Sequence, residues 1–137
     1  QSGNVYTITN AKSGTVVDLS GRDNRSIIGF PFFNTTNQQW KLEWTSIGWT
    51  FQSVGSGHYI GIDGSQSDGT RLVAQTTPFG WDIWHDEVDP STYRIVVPET
   101  SFNVDLSNFG DPNNGTLVAI WGQWEALNQT WRFEQGE

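Results

Sequence analysis

The sequence contains no cysteine, which excludes a disulfide framework and any metal site built on thiolates. Positive charge is scarce, since seven Lys and Arg residues against 15 Asp and Glu residues leave a formal net charge of −8. Nucleic acids and anionic membranes are bound by basic surfaces, so this charge argues against both as partners. No apolar run approaches the ~20 residues of a membrane-spanning helix, and we expect no membrane insertion.

Catalytic motifs are missing as well. The two histidines, His58 and His85, do not fall at equivalent positions, and no nucleophile-elbow, zinc-protease or phosphate-binding motif occurs. The acidic segment "HDEVDP" (85–90) lacks the regular ligand spacing of a calcium loop, and we interpret it as a solvated linker. We therefore expect neither an enzyme nor a bound metal or cofactor.

Short β-prone segments make up most of the chain. Runs such as "VYTIT", "WTFQSV", "YRIVV" and "TLVAIW" alternate apolar and polar residues or are rich in branched side chains. Gly, Asn, Asp and Pro separate these runs, and no amphipathic stretch of helical length appears. The pattern predicts an all-β fold.

The chain also repeats itself three times. "YTITNAKSGTVVDLSG" begins at residue 6, "WTFQSVGSGHYIGIDG" at residue 49 and "YRIVVPETSFNVDLSN" at residue 93, a period of about 44 residues. Such units cannot each bury a face alone, but around a pseudo-threefold axis they close a barrel and hide its edges. We predict one β-trefoil domain over 1–137, with repeats at approximately 1–45, 46–90 and 91–137. Its shared core is predicted to contain Trp40, Trp84 and Trp131.

Two of the repeats end alike, with "NQQW" at 37–40 and "NQTW" at 128–131, and each has "VDL" upstream. An Asp in "VDL", then an aromatic residue, then "NQxW" resembles the repeat of the ricin-B-like (R-type) lectins, including their small fungal members. The resemblance covers the whole chain. It implies a carbohydrate-binding protein for terminal galactose or N-acetylgalactosamine, which agglutinates cells when several sites act together.

The resemblance places a sugar-binding trio in the first and third repeats, namely Asp18, Phe30 and Asn37, and Asp105, Trp121 and Asn128. The trio suits galactose, because a ring covers the C–H face of the sugar while a carboxylate and an amide bond the hydroxyls at its edge. When the three repeats are aligned, the middle repeat has Gly61 in the Asp column, Gln75 in the aromatic column and Trp81 in the Asn column. We therefore expect the middle repeat to lack a site. Asp63 lies two residues further along on the same side of the strand, and we do not expect it to replace the missing carboxylate.

Four neighbouring residues are assigned from the same register. Phe33 and Trp124 each lie three positions after the platform ring, and they are predicted to contact an N-acetyl methyl or a second sugar. A homodimer contact is the alternative for these two rings. Gln38 and Gln129 are predicted to be structural, bracing the turn through backbone hydrogen bonds.

Local patterns allow other roles for some of these residues. Asp18 and Asp105 also fit turn capping after a strand. Trp121 shares strand parity with Leu117 and Ala119, and if those two face inward, alternation alone places Trp121 in the core. The family register places it at the site instead.

Another function remains open. The exposed loop "NFGDPNNG" (108–115) could act as a protease-inhibitor loop, although an inhibitor has no need of a doubled Asp–aromatic–Asn set. Four N-x-S/T sequons, at Asn24, Asn34, Asn114 and Asn128, would carry glycans that crowd these loops. We therefore expect a cytoplasmic or non-classically secreted protein.

Overall fold

The computed structural model describes residues 2–136 and is built from twelve short antiparallel strands. They are β1 (Val5–Asn10), β2 (Val16–Leu19), β3 (Ile27–Phe30), β4 (Trp40–Thr45), β5 (Gly48–Ser53), β6 (Tyr59–Ile62), β7 (Leu72–Gln75), β8 (Asp82–His85), β9 (Tyr93–Val96), β10 (Phe102–Leu106), β11 (Thr116–Gly122) and β12 (Trp131–Gln135). A helical turn, α1 (Ser107–Gly110), and two 3-10 turns, Thr36–Gln38 and Leu127–Gln129, lie in the connections.

Six of the strands close a barrel. β1 pairs with β12 and with β4, β4 pairs with β5, and β9 pairs with β8 and with β12. A bridge between Trp49 and Trp81 joins β5 to the start of β8 and completes the ring. The other six strands form the hairpins β2–β3, β6–β7 and β10–β11, one from each repeat. The fold is therefore the predicted β-trefoil.

All three repeats contribute to one buried core, in which three indoles occupy equivalent positions. Each indole Nε1–H donates a hydrogen bond to a carbonyl of the first hairpin strand in its own repeat. The pairs are Trp40 to Val17 at 3.0 Å, Trp81 to Ile60 at 3.1 Å and Trp131 to Val104 at 3.1 Å. These bonds satisfy the polar atom of a large buried ring and tie each hairpin to the barrel.

The tryptophan of the second repeat is Trp81, so the prediction of Trp84 as a core residue was wrong. Trp84 is 60% exposed, whereas Trp81 is 0% exposed. Successive residues of a strand point to opposite faces, and on β8 Ile83 packs against the core while Trp84 faces outward. The second repeat thus reaches its core indole three residues earlier than the sequence spacing indicates.

Alternation along β11 also settles the position of Trp121. Val118 and Ile120 belong to the core, whereas Leu117 and Trp121 are exposed; Ala119, on the same face as these two, is buried but lies outside the core cluster. The parity argument for a buried Trp121 therefore assumed the wrong phase. No helical segment among residues 2–136 has the length and apolarity needed to cross a bilayer.

Candidate functional site

The third repeat holds a carboxylate between two amide side chains. Asp105 lies on β10, and its two oxygens accept hydrogen bonds from neighbouring residues of the 3-10 turn after β11. Asn128 Nδ2 donates to Asp105 Oδ1 at 3.1 Å, and Gln129 Nε2 donates to Oδ2 at 3.0 Å. A carboxylate can accept about four hydrogen bonds, so acceptor capacity remains for a ligand.

A tryptophan faces this carboxylate across the hairpin. Trp121 of β11 lies opposite Asn103, two residues before Asp105 on the same face of β10, and it is 41% exposed. Trp121, Trp124, Asp105 and Asn128 all line a cavity of about 600 Å³. The four predicted site residues of the third repeat are therefore brought together.

The first repeat reproduces this geometry. Asn37 Nδ2 donates to Asp18 Oδ1 at 3.1 Å, and Gln38 Nε2 donates to Asp18 Oδ2 at 2.9 Å. Phe30 lies opposite Val16, again two residues before the Asp, and is partly exposed. Asp18, Phe30 and Asn37 line a second cavity, of about 690 Å³.

Phe33, the predicted rim residue of the first repeat, lies beside Phe30, which lines the first-repeat cavity. Phe33 is exposed and its ring centroid is 6.0 Å from that of Phe30. Phe33 is not among the described residues that line the first-repeat cavity, whereas Trp124 does line the third-repeat cavity. The two predicted rim residues are thus not equivalent.

Gln38 and Gln129 connect each carboxylate to the loop that carries the rim ring. Gln38 Oε1 accepts from the backbone N–H of Phe33 at 2.8 Å, and its Nε2 also donates to the carbonyl of Pro31 at 2.8 Å. Gln129 makes the matching bonds with the N–H of Trp124 and the carbonyl of Gly122, both at 3.1 Å. The predicted bracing bonds are present, and the bond to the carboxylate is an additional contact.

Burial raises the pKa of both carboxyl groups above the usual 3.8. For Asp105 desolvation is the largest cause, opposed by side-chain hydrogen bonds from Gln129, Trp124 and Asn128. For Asp18 desolvation is likewise opposed by Gln38 and Asn37. The amide donors therefore compensate only part of the desolvation cost, which leaves each carboxylate a strong acceptor for a hydroxyl group.

Known proteins share the sequence pattern and the fold of this chain. The family model described as "Ricin-type beta-trefoil lectin domain-like" matches residues 1–75 and 36–121. The Macrolepiota procera ricin B-like lectin, solved in complex with lactose, is 52% identical, with 99% of this chain and 98% of that chain covered and a TM-score of 0.98. The chain belongs to the ricin-type β-trefoil lectin family.

Two further structures share the fold. The Rhizoctonia solani agglutinin is 28% identical over 99% of this chain and 97% of its own, with a TM-score of 0.88. A designed threefold symmetric protein, ThreeFoil, shares the fold at 22% identity and a TM-score of 0.83, with 94% and 96% of the two chains covered. A search of curated proteins gave no match. The resemblance inferred from the repeats is confirmed, and the protein is a carbohydrate-binding lectin.

The second repeat of the lectin does not reproduce the site. Gly61 and Gln75 occupy the Asp and aromatic columns, as the hairpin pairing shows. A Cβ atom added at Gly61 would lie 2.0 Å from Gln75 Oε1, so the Gln75 side chain fills the space of the missing carboxylate. Because Trp81 is the core indole, the Asn and Gln columns hold Pro78 and Phe79, and the prediction of Trp81 in the Asn column was wrong.

Asp63 does not replace the missing carboxylate. Its Oδ1 accepts from Arg25 Nη2 at 3.0 Å and its Oδ2 accepts from Arg71 Nε at 3.1 Å. These bonds hold the pKa of Asp63 below its usual value. Both oxygens are engaged by guanidinium groups, so this carboxylate is not presented to a ligand in the way that Asp18 and Asp105 are.

Sequence reasoning missed a buried arginine that braces the third site. Arg94 Nη1 donates to Gln129 Oε1 at 3.0 Å, its Nη2 donates to the Trp124 carbonyl at 3.1 Å, and its Nε donates to Asp86 at 2.8 Å. Asp86 is buried, so the interpretation of 85–90 as a solvated linker was wrong at this residue. An arginine on the barrel strand, where the other repeats have Thr7 and Thr50, was the available signal.

The loop 108–115 lies between the two sites. Its first residues, Asn108 and Phe109, line the third-repeat cavity, while Asn114 and Gly115 near its end line the first-repeat cavity. The loop that had been considered as an inhibitor loop thus belongs to the walls of both sites. Among residues 2–136, no group of His, Asp and Glu side chains is arranged to hold a metal ion.

Proposed function

We propose that this lectin binds terminal galactose or N-acetylgalactosamine at two sites, one in the first repeat and one in the third. The observation that carries the proposal is the repeated geometry of a carboxylate held by an Asn and a Gln, with an aromatic ring on the same hairpin that is partly exposed in the first repeat and exposed in the third. The Asn and Gln donor distances are 3.1 and 2.9 Å in one repeat, and 3.1 and 3.0 Å in the other.

The chemistry of these groups matches the shape of galactose. The C–H groups on one face of the pyranose lose water favourably against the phenyl ring of Phe30 or the indole of Trp121. The hydroxyls at the opposite edge, including the axial one, can donate to Asp18 or Asp105 in charge-assisted hydrogen bonds. Asn37 and Asn128 already donate to the carboxylates, and their amide oxygens are acceptors for a neighbouring hydroxyl.

The comparison with the Macrolepiota lectin supports the same ligand class. That protein was solved in complex with lactose, a disaccharide that ends in galactose. Glycoside hydrolysis needs two carboxylates placed across one bond. Among the described residues the third-repeat cavity is lined by one carboxylate, Asp105, and the second carboxylate of the first-repeat cavity, Asp23, accepts hydrogen bonds from Ser26. We therefore propose that the lectin binds saccharides without cleaving them.

Calorimetric titration with lactose tests the number and position of the sites. We expect two sites in the unmodified protein, one site in Asp18→Ala and one in Asp105→Ala, and no binding when both substitutions are combined. Asp63→Ala is the matched control. It removes the second-repeat carboxylate that lies two residues after Gly61, the position equivalent to Asp18 and Asp105, and it should leave two sites. Retention of both sites in Asp105→Ala, with circular dichroism showing an intact fold, would refute the third-repeat site.

Two sites on one chain also provide a basis for agglutination. A weak site gains an avidity of about 10²–10⁴ when a second site engages the same glycan-coated surface. We therefore expect the lectin to agglutinate cells, with inhibition by free galactose or N-acetylgalactosamine. Glucose should fail as an inhibitor, because its equatorial hydroxyl cannot reach the carboxylate in the same way as the axial hydroxyl of galactose.

A further inference from the structure

The segment after β10 has a backbone conformation that bulky residues rarely adopt. Asn108 has φ 54° and ψ 47°, Phe109 has φ 57° and ψ 35°, and Gly110 has φ 80°. Glycine and asparagine enter this left-handed region readily, but a phenylalanine there is unusual. Strained conformations of this kind persist when their surroundings impose them, and they are concentrated at functional sites.

Two contacts hold this segment in place. Lys12 Nζ, from a loop of the first repeat, donates to the Phe109 carbonyl at 2.6 Å. Gly110 is packed so closely that an added Cβ would lie 2.9 Å from both the Asn128 Cβ and the Lys12 Cδ. The backbone of α1 is therefore fixed between the third-repeat site and the first repeat.

The fixed backbone exposes an aromatic ring at the cavity. The Phe109 side chain is 69% exposed, and its ring meets that of Trp124 edge to face, with centroids 5.9 Å apart and planes at 83°. Both rings line the third-repeat cavity together with Ser107 and Asn108. They form an apolar corner whose neighbours carry a hydroxyl and a carboxamide.

The first-repeat site has an arginine, Arg22, at the position equivalent to Phe109. The corresponding segment after β2 contributes Gly21, Arg22 and Asp23 to its cavity, so that wall is charged rather than aromatic. The two sites therefore share the carboxylate and amide set but differ in what they offer to the rest of the saccharide.

We propose that Phe109 is a specificity-determining residue that makes the third-repeat site select a sugar carrying an acetamido group, such as N-acetylgalactosamine, over galactose. The inference rests on the proposed function of that site. An acetamido group has an apolar methyl and a polar amide, which match the Phe109–Trp124 corner and the adjacent Ser107 and Asn108. In the first-repeat site Arg22 stands at the position of Phe109, so a guanidinium group replaces the phenyl ring at that point of the wall.

Calorimetry in an Asp18→Ala background measures the third-repeat site alone. The quantity of interest is the ratio of the association constants for N-acetylgalactosamine and galactose. Burial of one methyl group corresponds to about a fourfold change in affinity, so Phe109→Ala should lower this ratio about fourfold. Phe109→Asn should do the same, and it separates the ring from the backbone because asparagine tolerates the left-handed conformation.

Two controls isolate the role of the ring. Phe109→Tyr keeps the aromatic wall and should preserve the ratio. Phe32→Ala removes another exposed phenyl ring, one that lines a different groove beside β1, and should also preserve it. An unchanged ratio in Phe109→Asn, or an equal loss of affinity for both sugars, would overturn the inference while leaving the site itself intact. Absence of binding of either sugar in the Asp18→Ala parent would instead refute the third-repeat site.

Discussion

The assignment of Trp81 to the core makes a strong prediction about stability. Trp81 and Trp84 lie three residues apart in the second repeat, and the structure buries the first while exposing the second. Replacing each with alanine should therefore have very different effects on the free energy of unfolding. The comparison also bears on function. If Trp81 is the core indole, then Pro78 and Phe79 stand at the second-repeat positions equivalent to the Asn and Gln that bond the carboxylate in the other two repeats.

The expected magnitudes follow from burial and contacts. Trp81 is fully buried, packs against Phe79 with ring centroids 4.9 Å apart, and donates its indole N–H to the Ile60 carbonyl. Trp81→Ala removes these contacts and leaves a cavity, which typically costs about 3–5 kcal/mol. Trp84→Ala should change stability by no more than about 0.5 kcal/mol, as is usual for exposed positions. Trp81→Phe should cost about 1–3 kcal/mol, since it leaves the Ile60 carbonyl without its donor.

Urea unfolding followed by far-UV circular dichroism measures these differences. With a slope of about 2 kcal/mol/M, Trp81→Ala should lower the unfolding midpoint by roughly 2 M, while the midpoint of Trp84→Ala should stay near that of the unmodified protein. Far-UV detection is preferred because each substitution changes the tryptophan fluorescence itself. An equal or larger loss of stability in Trp84→Ala would refute the assignment of the core indole and the register of the second repeat.

Two further predictions concern the carboxylates. Because burial raises the pKa of Asp18 and Asp105 above 3.8, lactose binding should weaken as the pH falls through these raised values, as titrations across a pH series would show. The same two shifts stabilise the folded state at low pH, and this contribution is lost as the pH rises through the raised values. Near-UV circular dichroism should therefore show that the fold persists at a pH where lactose no longer binds. Gly61→Asp should not create a third site, because Pro78 and Phe79 offer no side-chain amide donors to the new carboxylate. The same substitution should lower the free energy of unfolding by about 1–3 kcal/mol. Ser65→Asp, at an exposed position of the same repeat, is the control and should leave stability unchanged in the same urea assay.

Much of the fold could be predicted from the sequence because the repeats carry their own register. The "VDL" and "NQxW" segments recur in the first and third repeats, and their hydrogen bonds link a hairpin strand to the turn before the next barrel strand. The Asp and the Asn recur in the same order in both repeats, 19 residues apart in the first and 23 in the third, because the loop after the Asp is longer in the third. The placement of Asp18 with Asn37, and of Asp105 with Asn128, followed from the resemblance of these two repeats to the ricin-B-like lectin repeat.

The second repeat could not be placed in the same way because its closing segment has lost the landmarks. "PFGWDIW" (78–84) offers two tryptophans, and the average repeat length favours the second. Only the packing distinguishes them, since Trp81 meets the Ile60 carbonyl and Trp84 falls on the outer face of β8. The conformation of Phe109 could not be predicted either. The segment "SNFG" contains no pattern that indicates a left-handed turn, and the contact that holds this turn comes from Lys12 in another repeat.

The three repeats show that closing the barrel and holding the carboxylate depend on different residues. The indole bond to the hairpin carbonyl is kept in all three repeats, whereas the carboxylate with its two amides is kept in two. In the second repeat Phe79 stands where Gln38 and Gln129 stand in the others, and it packs on Trp81 instead of holding a carboxylate. An apolar contact thus substitutes for the polar brace, so the middle repeat can lack the carboxylate and its amide donors and still close the barrel on which the two proposed sites depend.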